Sequence, residues 1–161
     1  MKLLKIMGIF ILSLFLMSAN SLKSYDITLY PLDKSRMSLS KIHDTIYASS
    51  ANDLSEKILK KLIDLQAQSE YISLIPPDTT VSLTNTTAIV NFPKNINPVL
   101  KNNIESELFT IYSLVNSLSS TGDIITVEFT INGKKENELF GFCDMRETFI
   151  PDYEICSWKK Q

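Results

Sequence analysis

The chain has 161 residues, and its formal net charge at pH 7 is −2. This length fits one domain of ordinary size with a hydrophobic core of its own. A mildly acidic chain is poorly suited to nucleic acid or anionic lipid headgroups, because both are bound through clustered Lys and Arg. Nucleic acid is therefore not an expected partner.

The first 21 residues have the three-part layout of a secretory signal peptide. Lys2 and Lys5 precede an apolar run over residues 6–17, and small residues follow at Ala19 and Ser21. A run of this length is short for a bilayer, which needs roughly 20 residues. We expect cleavage after Ser21, with a retained membrane anchor as the alternative.

Export is expected to release a soluble domain comprising residues 22–161, in the periplasm or at the outer face of the cytoplasmic membrane. No cysteine follows the apolar run close to the cleavage site, so no lipid attachment of the lipoprotein type is expected there. Loss of Lys2 and Lys5 with the signal changes the formal charge from −2 to −4.

Two strands are predicted first. Residues 25–30, YDITLY, alternate apolar and polar side chains, which is the period of a half-buried strand, and Pro31 ends the run. Residues 39–48, LSKIHDTIYA, are less regular, and we interpret them as the second strand.

Residues 53–68, DLSEKILKKLIDLQAQ, predict the first helix. Asp53 is the expected N-cap, and Glu56 three residues later completes the pattern of a capping box. Apolar residues recur at helical spacing at Leu54, Ile58, Leu62 and Leu65. We expect this stripe to pack against a sheet.

Residues 80–92, TVSLTNTTAIVNF, predict a β-hairpin with a tight turn at residues 84–86. Pro76 and Pro77 end whatever precedes it, since consecutive prolines suit neither a helix nor a central strand. Asn85 also begins an acceptor pattern for N-glycosylation. We favour the alternative, that Asn85 is there to form the turn.

The second helix is predicted from Asn97, as cap, to about Ser119, with Pro98 at its first position. An apolar stripe runs along it at Leu100, Ile104, Leu108, Ile111, Val115 and Leu118. Phe109 and Tyr112 widen this stripe, either as part of a broad core face or as a protein-binding surface. We take Phe109 and Tyr112 as candidate interface residues of a weak homo-oligomer, because aromatic anchors are typical of interfaces.

Residues 123–135, DIITVEFTINGKK, predict the clearest strand. Asn132-Gly133 is a strong hairpin signal, because both turn positions favour positive φ. We therefore expect a return strand over residues 138–143, ELFGFC. The tail, residues 144–161, shows no periodicity and is expected to lie across the sheet edge.

The two cysteines, Cys143 and Cys156, are a candidate disulfide in an exported protein. This disulfide would close a loop over residues 143–156, which would give about 3 kcal/mol of stabilisation in the chain-entropy estimate. Two free thiols are the alternative, and a redox or metal role is disfavoured because the CxxC spacing is absent.

The inventory of catalytic groups is small. His43 is the single histidine, so a zinc site with two or three imidazoles cannot form, and a Ser–His–acid triad would have to use this residue. The four glycines do not form a phosphate-binding loop. We expect no enzymatic activity, no catalytic residue, no cofactor and no metal.

The order of motifs resembles the GerMN domain family, a sporulation and spore-germination module of bacterial envelope proteins. The resemblance covers most of residues 25–150, and the segments that carry it are DITLYPLD, ILKKLIDL, LIPPDTTVSLTNTTAIVNFP and VEFTINGKK, with GFCDM at the place of a Gly-rich closing segment. Several relatives carry two modules where this chain carries one.

The resemblance implies an α/β (α+β) two-layer sandwich, with a small, mainly antiparallel or mixed sheet and two helices packed on one face. It implies no enzymatic activity and no cofactor. We expect a non-enzymatic, exported interaction or assembly module of the bacterial cell envelope, with an envelope protein or peptidoglycan as partner. The alternative is a domain that binds peptidoglycan or another glycan through exposed Tyr side chains and Trp158.

Overall fold

The computed structural model describes residues 22–35, 38–95, 104–138 and 141–155. The predicted signal segment lies outside these ranges. Within them, the helices and strands are β1 Lys23–Leu29, β2 Leu32–Asp33, β3 Ser38–Leu39, β4 Ile42–Ala48, α1 Ala51–Gln66, β5 Thr80–Thr84, β6 Thr87–Phe92, α2 Ile104–Leu118 and β7 Thr126–Ile131. A short 3-10 helix, Ser119–Thr121, follows α2.

The first half of the chain is built on two antiparallel strand pairs. β1 pairs with β4 from Lys23 opposite Ala48 to Leu29 opposite Ile42. The short strands β2 and β3 pair in the segment that connects them. The strand predicted at residues 25–30 is thus confirmed, whereas the one predicted at residues 39–48 forms only over Ile42–Ala48, because a break at residues 40–41 separates it from β3.

The second half forms a three-stranded mixed sheet in the order β5-β6-β7. β5 and β6 are the predicted antiparallel hairpin, whereas β6 and β7 are parallel, with Val90 opposite Phe129. Parallel neighbours need a long crossover, and α2 lies within that connection. The mixed sheet and the two helices, which contact each other and this sheet, confirm the expected fold class.

The turn between β5 and β6 explains why residue 85 is an asparagine. Asn85 has a φ of 54°, in the left-handed region that Asn tolerates better than most residues. Asn85 and Thr86 form a two-residue turn between β5 and β6. The turn-forming role of Asn85 is therefore confirmed.

The first helix begins earlier than predicted. Ser50 is the N-cap, and its hydroxyl accepts a hydrogen bond from the Asp53 N–H at 3.1 Å. Asp53 lies in the first turn, where its carboxylate accepts the Ser49 N–H at 2.7 Å. The prediction of Asp53 as cap is wrong because the helix already begins at Ala51, so that Ser50 caps it and Asp53 bonds back to the residue before the cap.

Most of the second helix is buried in the fold. Asn97 and Pro98, its predicted start, lie outside the described residues, and the described part runs from Ile104 to Leu118. Ten of these residues are buried, including polar ones: Glu107, Phe109, Thr110, Ile111, Ser113, Leu114, Val115, Asn116, Ser117 and Leu118. A helix buried nearly all round is central to its fold.

The predicted return strand after β7 is wrong for the part of residues 138–143 that the structure describes. The turn itself forms, with φ of 51° at Asn132 and 75° at Gly133. The backbone of Phe149 instead pairs with Val127 through two hydrogen bonds of 2.8 Å. A segment of the tail thus lies against β7, as expected for a tail that covers the sheet edge.

None of the helices in the described ranges is long and apolar enough to cross a membrane.

Gln66, at the end of α1, fixes the loop that leads to β5. Its side chain is 2% exposed, and its Oε1 accepts the N–H groups of Leu74 at 2.9 Å and Ile75 at 3.0 Å. Both apolar side chains are buried, so their N–H groups have no access to bulk water. One amide oxygen therefore satisfies two buried donors.

Replacement of Gln66 by Ala is expected to lower the free energy of unfolding by about 2 to 4 kcal/mol, because two buried N–H groups lose their acceptor. Urea denaturation of the purified protein measures this change. The matched control is Gln68→Ala at an exposed position, which should change stability by less than about 0.5 kcal/mol. Equal stability of the two variants would contradict the assigned role of Gln66.

Candidate interaction site

The two candidate interface residues on α2 have different environments. Phe109 is 7% exposed and belongs to the core. Tyr112 is half-buried, and its ring meets the Phe149 ring edge to face, with centroids 6.5 Å apart. Their role in a homo-oligomer stays a prediction, but only Tyr112 presents part of its side chain at the surface.

An apolar stripe on α2 reaches the surface beside Tyr112. Ile104 is 57% exposed, and Leu108 and Tyr112 follow at spacings of four residues, each half-buried. Residues four apart lie on one face of a helix. Ile104, Leu108 and Tyr112, which we call the α2 stripe, are the accessible apolar surface of this helix.

Residues 142 and 143, directly before the predicted tail, are counted with it from here on, and Glu107 binds them to α2. Its side chain is fully buried, its Oε2 accepts the Phe142 N–H at 3.1 Å and its Oε1 accepts the Cys143 N–H at 2.9 Å. Hydrogen bonds to a charged acceptor are about twice as strong as neutral ones. These bonds direct the backbone at residues 142–143 towards α2, which explains why no return strand forms there.

Asn116 binds a second part of the tail, two and a half turns further along α2. Its Nδ2 donates to the Asp152 carbonyl at 2.7 Å, and its Oδ1 accepts the Asp152 N–H at 2.9 Å. Sequence reasoning missed Glu107 and Asn116. The only sign in the sequence is that each is a polar residue next to a member of the apolar stripe of the predicted helix.

The tail carries exposed apolar side chains. Phe142 is 47% exposed, Ile150 64% and Tyr153 40%. Tyr153 packs on Tyr30 with ring centroids 5.7 Å apart, and its hydroxyl donates to the Ser119 carbonyl at 3.3 Å. The tail is therefore held to the domain while it presents apolar groups to solvent.

Cys143 is a half-buried thiol beside a carboxylate. Burial, the charge of Glu107 and a hydrogen bond to Glu107 raise the pKa of the Cys143 thiol to about 11. Cys156 lies outside the described residues, so the Cys143–Cys156 disulfide stays a prediction. In its reduced form Cys143 is protonated at neutral pH and is a poor nucleophile.

The other groups considered for chemistry lie apart. His43 is exposed on β4, and its Nδ1 lies 3.1 Å from the Thr28 hydroxyl. The neighbouring Asp44 forms an ion pair with Lys61, which lowers the pKa of that carboxyl. No group of three or more His, Cys, Asp or Glu side chains in the described ranges could hold a metal ion.

A cleft of about 530 Å³ lies between α1 and the edge strand β5. Its apolar lining includes Leu59 and Ile63 from the helix and Val81 from the strand. Three charged side chains on the helix side also line it: Glu56, Lys60 and Asp64. The sequence showed the spacing of these residues on α1 but not that β5 would lie opposite.

The family described as "Germane: Sporulation and spore germination" matches residues 28–137, which is more than half of the chain. The chain belongs to this family. The match begins within β1 and ends after β7, so it includes both helices of the described fold. The resemblance of the motifs to GerMN domains is thus confirmed.

Solved structures have the same fold. The tandem GerMN domains of the sporulation protein GerM from Bacillus subtilis match with a TM-score of 0.57 and 20% identity, over 80% of this chain and 46% of that one. The first GerMN domain of GerM alone gives 0.54 and 20%, over 78% and 96%. This chain therefore spans about half of the tandem protein.

The crystal structure of a candidate lipoprotein from Clostridium perfringens also matches. Its TM-score is 0.54 and its identity 15%, over 81% of this chain and 88% of that one. At these identities the likeness shows the fold. No curated protein matches the sequence of this chain.

The raised pKa of Cys143 predicts the pH dependence of its alkylation. In the reduced protein, the rate with iodoacetamide should rise with pH towards about 11, instead of levelling above the ordinary thiol pKa near 9. Glu107→Gln removes the negative charge and keeps one of the two acceptor oxygens, so its profile should shift to lower pH. Peptide mass spectrometry quantifies the product at Cys143.

The matched control is Glu147→Gln, which removes a charge from an exposed tail position and should leave the profile unchanged. A native profile that levels near pH 9 would contradict the described environment of Cys143.

Proposed function

We propose that this chain is an exported, non-enzymatic module that assembles or positions another complex of the bacterial cell envelope. The observation that carries the proposal is the match over residues 28–137 to a family described by sporulation and spore germination. The signal-like segment at residues 1–21 and the likeness to a candidate lipoprotein support a place outside the cytoplasm. The partner is an envelope protein or peptidoglycan.

The described surface favours protein contacts over glycan binding. Aromatic stacking on sugars needs side chains that lie together, whereas the exposed aromatic residues Tyr47, Phe142 and Tyr153 belong to β4 and to separate tail positions. The exposed apolar tail residues and the α2 stripe are surfaces of the kind that mark protein interactions. Trp158 lies outside the described residues.

The proposal predicts both the cellular location of the chain and its binding to an envelope partner. In the native bacterium, a tagged chain should fractionate with the exported proteins, and cross-linking before lysis should capture the same envelope protein or peptidoglycan fragment in replicate experiments. A control chain that lacks residues 1–21 should remain in the cytoplasm and lose this partner. Recovery of the full chain in the cytoplasm, or of no partner at any salt concentration, would contradict the proposal.

The module is also proposed to self-associate weakly through the α2 stripe. Burial of Ile104 and of the exposed part of Tyr112 removes apolar surface from water at about 25 cal/mol per Å². Loss of translational and rotational freedom offsets much of this gain, so a concentration-dependent oligomer follows.

Sedimentation of the purified protein over a hundredfold concentration range should show this equilibrium. Ile104→Ser should weaken it at least tenfold without unfolding, because Ile104 is exposed. The control Ile125→Ser changes an equally exposed isoleucine away from α2 and should leave it unchanged. A native chain that stays monomeric throughout would overturn the idea, as would equal effects of the two substitutions.

A further inference from the structure

We propose that the cleft between α1 and β5 binds an extended peptide segment of a partner protein, which joins the sheet beside β5. The segment carries two basic side chains four residues apart. This inference rests on the proposed function, because it assigns a site and a partner chemistry to the interaction module.

β5 has backbone groups available for another strand. It is an outer strand of the three-stranded sheet, with β6 on one side. The Leu83 N–H is not paired with a strand; it donates a hydrogen bond to the Asn52 Oδ1 at 3.0 Å. Backbone groups two residues apart in a strand point to the same side, so the Val81 N–H and carbonyl also point away from β6, towards the cleft.

β7, the outer strand on the other side of the sheet, pairs with an extended segment of backbone. β7 binds the extended backbone at Phe149 through a reciprocal pair of hydrogen bonds to Val127. The tail thereby satisfies groups that would otherwise lie unpaired at this edge. Near Val81, no described segment of the chain takes the corresponding place on β5.

The cleft lies further along α1 than the point where helix and strand touch. Asn52 links them at one end, since its side chain contacts Leu83 and also donates to Glu56 at 2.6 Å. Further along α1, Leu59 and Ile63 line the wall opposite Val81. The cleft, of about 530 Å³, has an apolar floor next to the outward-facing backbone groups of Val81.

A buried hydroxyl without a partner points to a polar ligand in the same cleft. Thr79 lines it and is 6% exposed. Its Oγ1 has no hydrogen-bond partner among the described residues. Buried polar groups are rarely left unpaired in native proteins. Because the Oγ1 atom itself is buried, the Thr79 side chain must rotate towards the cleft before a backbone amide or carbonyl of an incoming strand can supply the missing partner.

The charges on α1 determine which strand fits. Glu56 and Asp64 lie eight residues apart on the helix wall, which corresponds to about 12 Å at the helical rise. Side chains four residues apart in a strand are separated by about 13 Å and lie on the same face. Two Lys or Arg at this spacing can therefore face both carboxylates. Lys60, between them, repels a third basic group.

The test uses a synthetic peptide, acetyl-Lys-Thr-Val-Thr-Lys-amide, titrated into the purified, isotope-labelled protein. The expected result is saturable movement of the amide resonances of Thr79, Thr80 and Val81, with slower hydrogen exchange at Val81. The first control is the same peptide N-methylated at its three central residues, which keeps both charges but cannot pair as a strand. It should bind at least tenfold more weakly.

Two double variants, each of which removes two negative charges, test whether the carboxylates on α1 bind the peptide. Glu56→Gln with Asp64→Asn should weaken binding of the unmodified peptide at least tenfold, whereas Glu147→Gln with Asp123→Asn removes two exposed charges elsewhere and should leave it unchanged. Resonances that do not move, equal binding of the N-methylated peptide, or equal effects of the two double variants would each overturn the proposal.

These outcomes are distinct from those of the proposed function. Peptide binding is measured with isolated components, so its failure leaves the export and capture experiments unaffected. Conversely, a chain found in the cytoplasm would refute the envelope role even if its cleft binds the peptide.

Discussion

The burial of α2 is the constraint on which the rest of the structure depends. Polar side chains on a mostly buried helix are stabilised by partners within the fold, because an unpaired buried polar group costs about 1 to 3 kcal/mol. Glu107 and Asn116 meet this requirement by binding two parts of the tail. Ser117 meets it by accepting the Tyr30 N–H at 2.9 Å, directly after β1.

Local periodicity and turn chemistry were sufficient to predict much of the fold. The alternation in residues 80–92 identified the hairpin, and the stripe in residues 53–68 identified α1, because each pattern is set by neighbours along the chain. The family resemblance supplied the layered arrangement. The N-cap of α1 was misplaced because Ser50 and Asp53 are both good capping residues, and only their mutual geometry distinguishes them.

The path after β7 could not be predicted in this way. Asn132-Gly133 does form its turn, but Glu107 binds the backbone 35 and 36 residues further along the chain, at positions 142 and 143. A carboxylate so distant in sequence leaves no periodic signal. The same limit applies to the cleft: one wall belongs to the predicted helix α1, while the strand opposite depends on the whole sheet.

The two surfaces assigned to interactions are independent of each other. The α2 stripe, Ile104, Leu108 and Tyr112, shares no residue with the cleft lined by α1 and β5. Contact through the stripe buries apolar side chains, whereas a strand beside β5 is held by backbone hydrogen bonds and is selected by charge. Since energies at separate sites with no shared partners usually add, a self-associated chain keeps its cleft available to a partner. Each copy in such an assembly then offers one peptide-binding edge, and linked copies bind a multivalent partner more tightly than a single copy does.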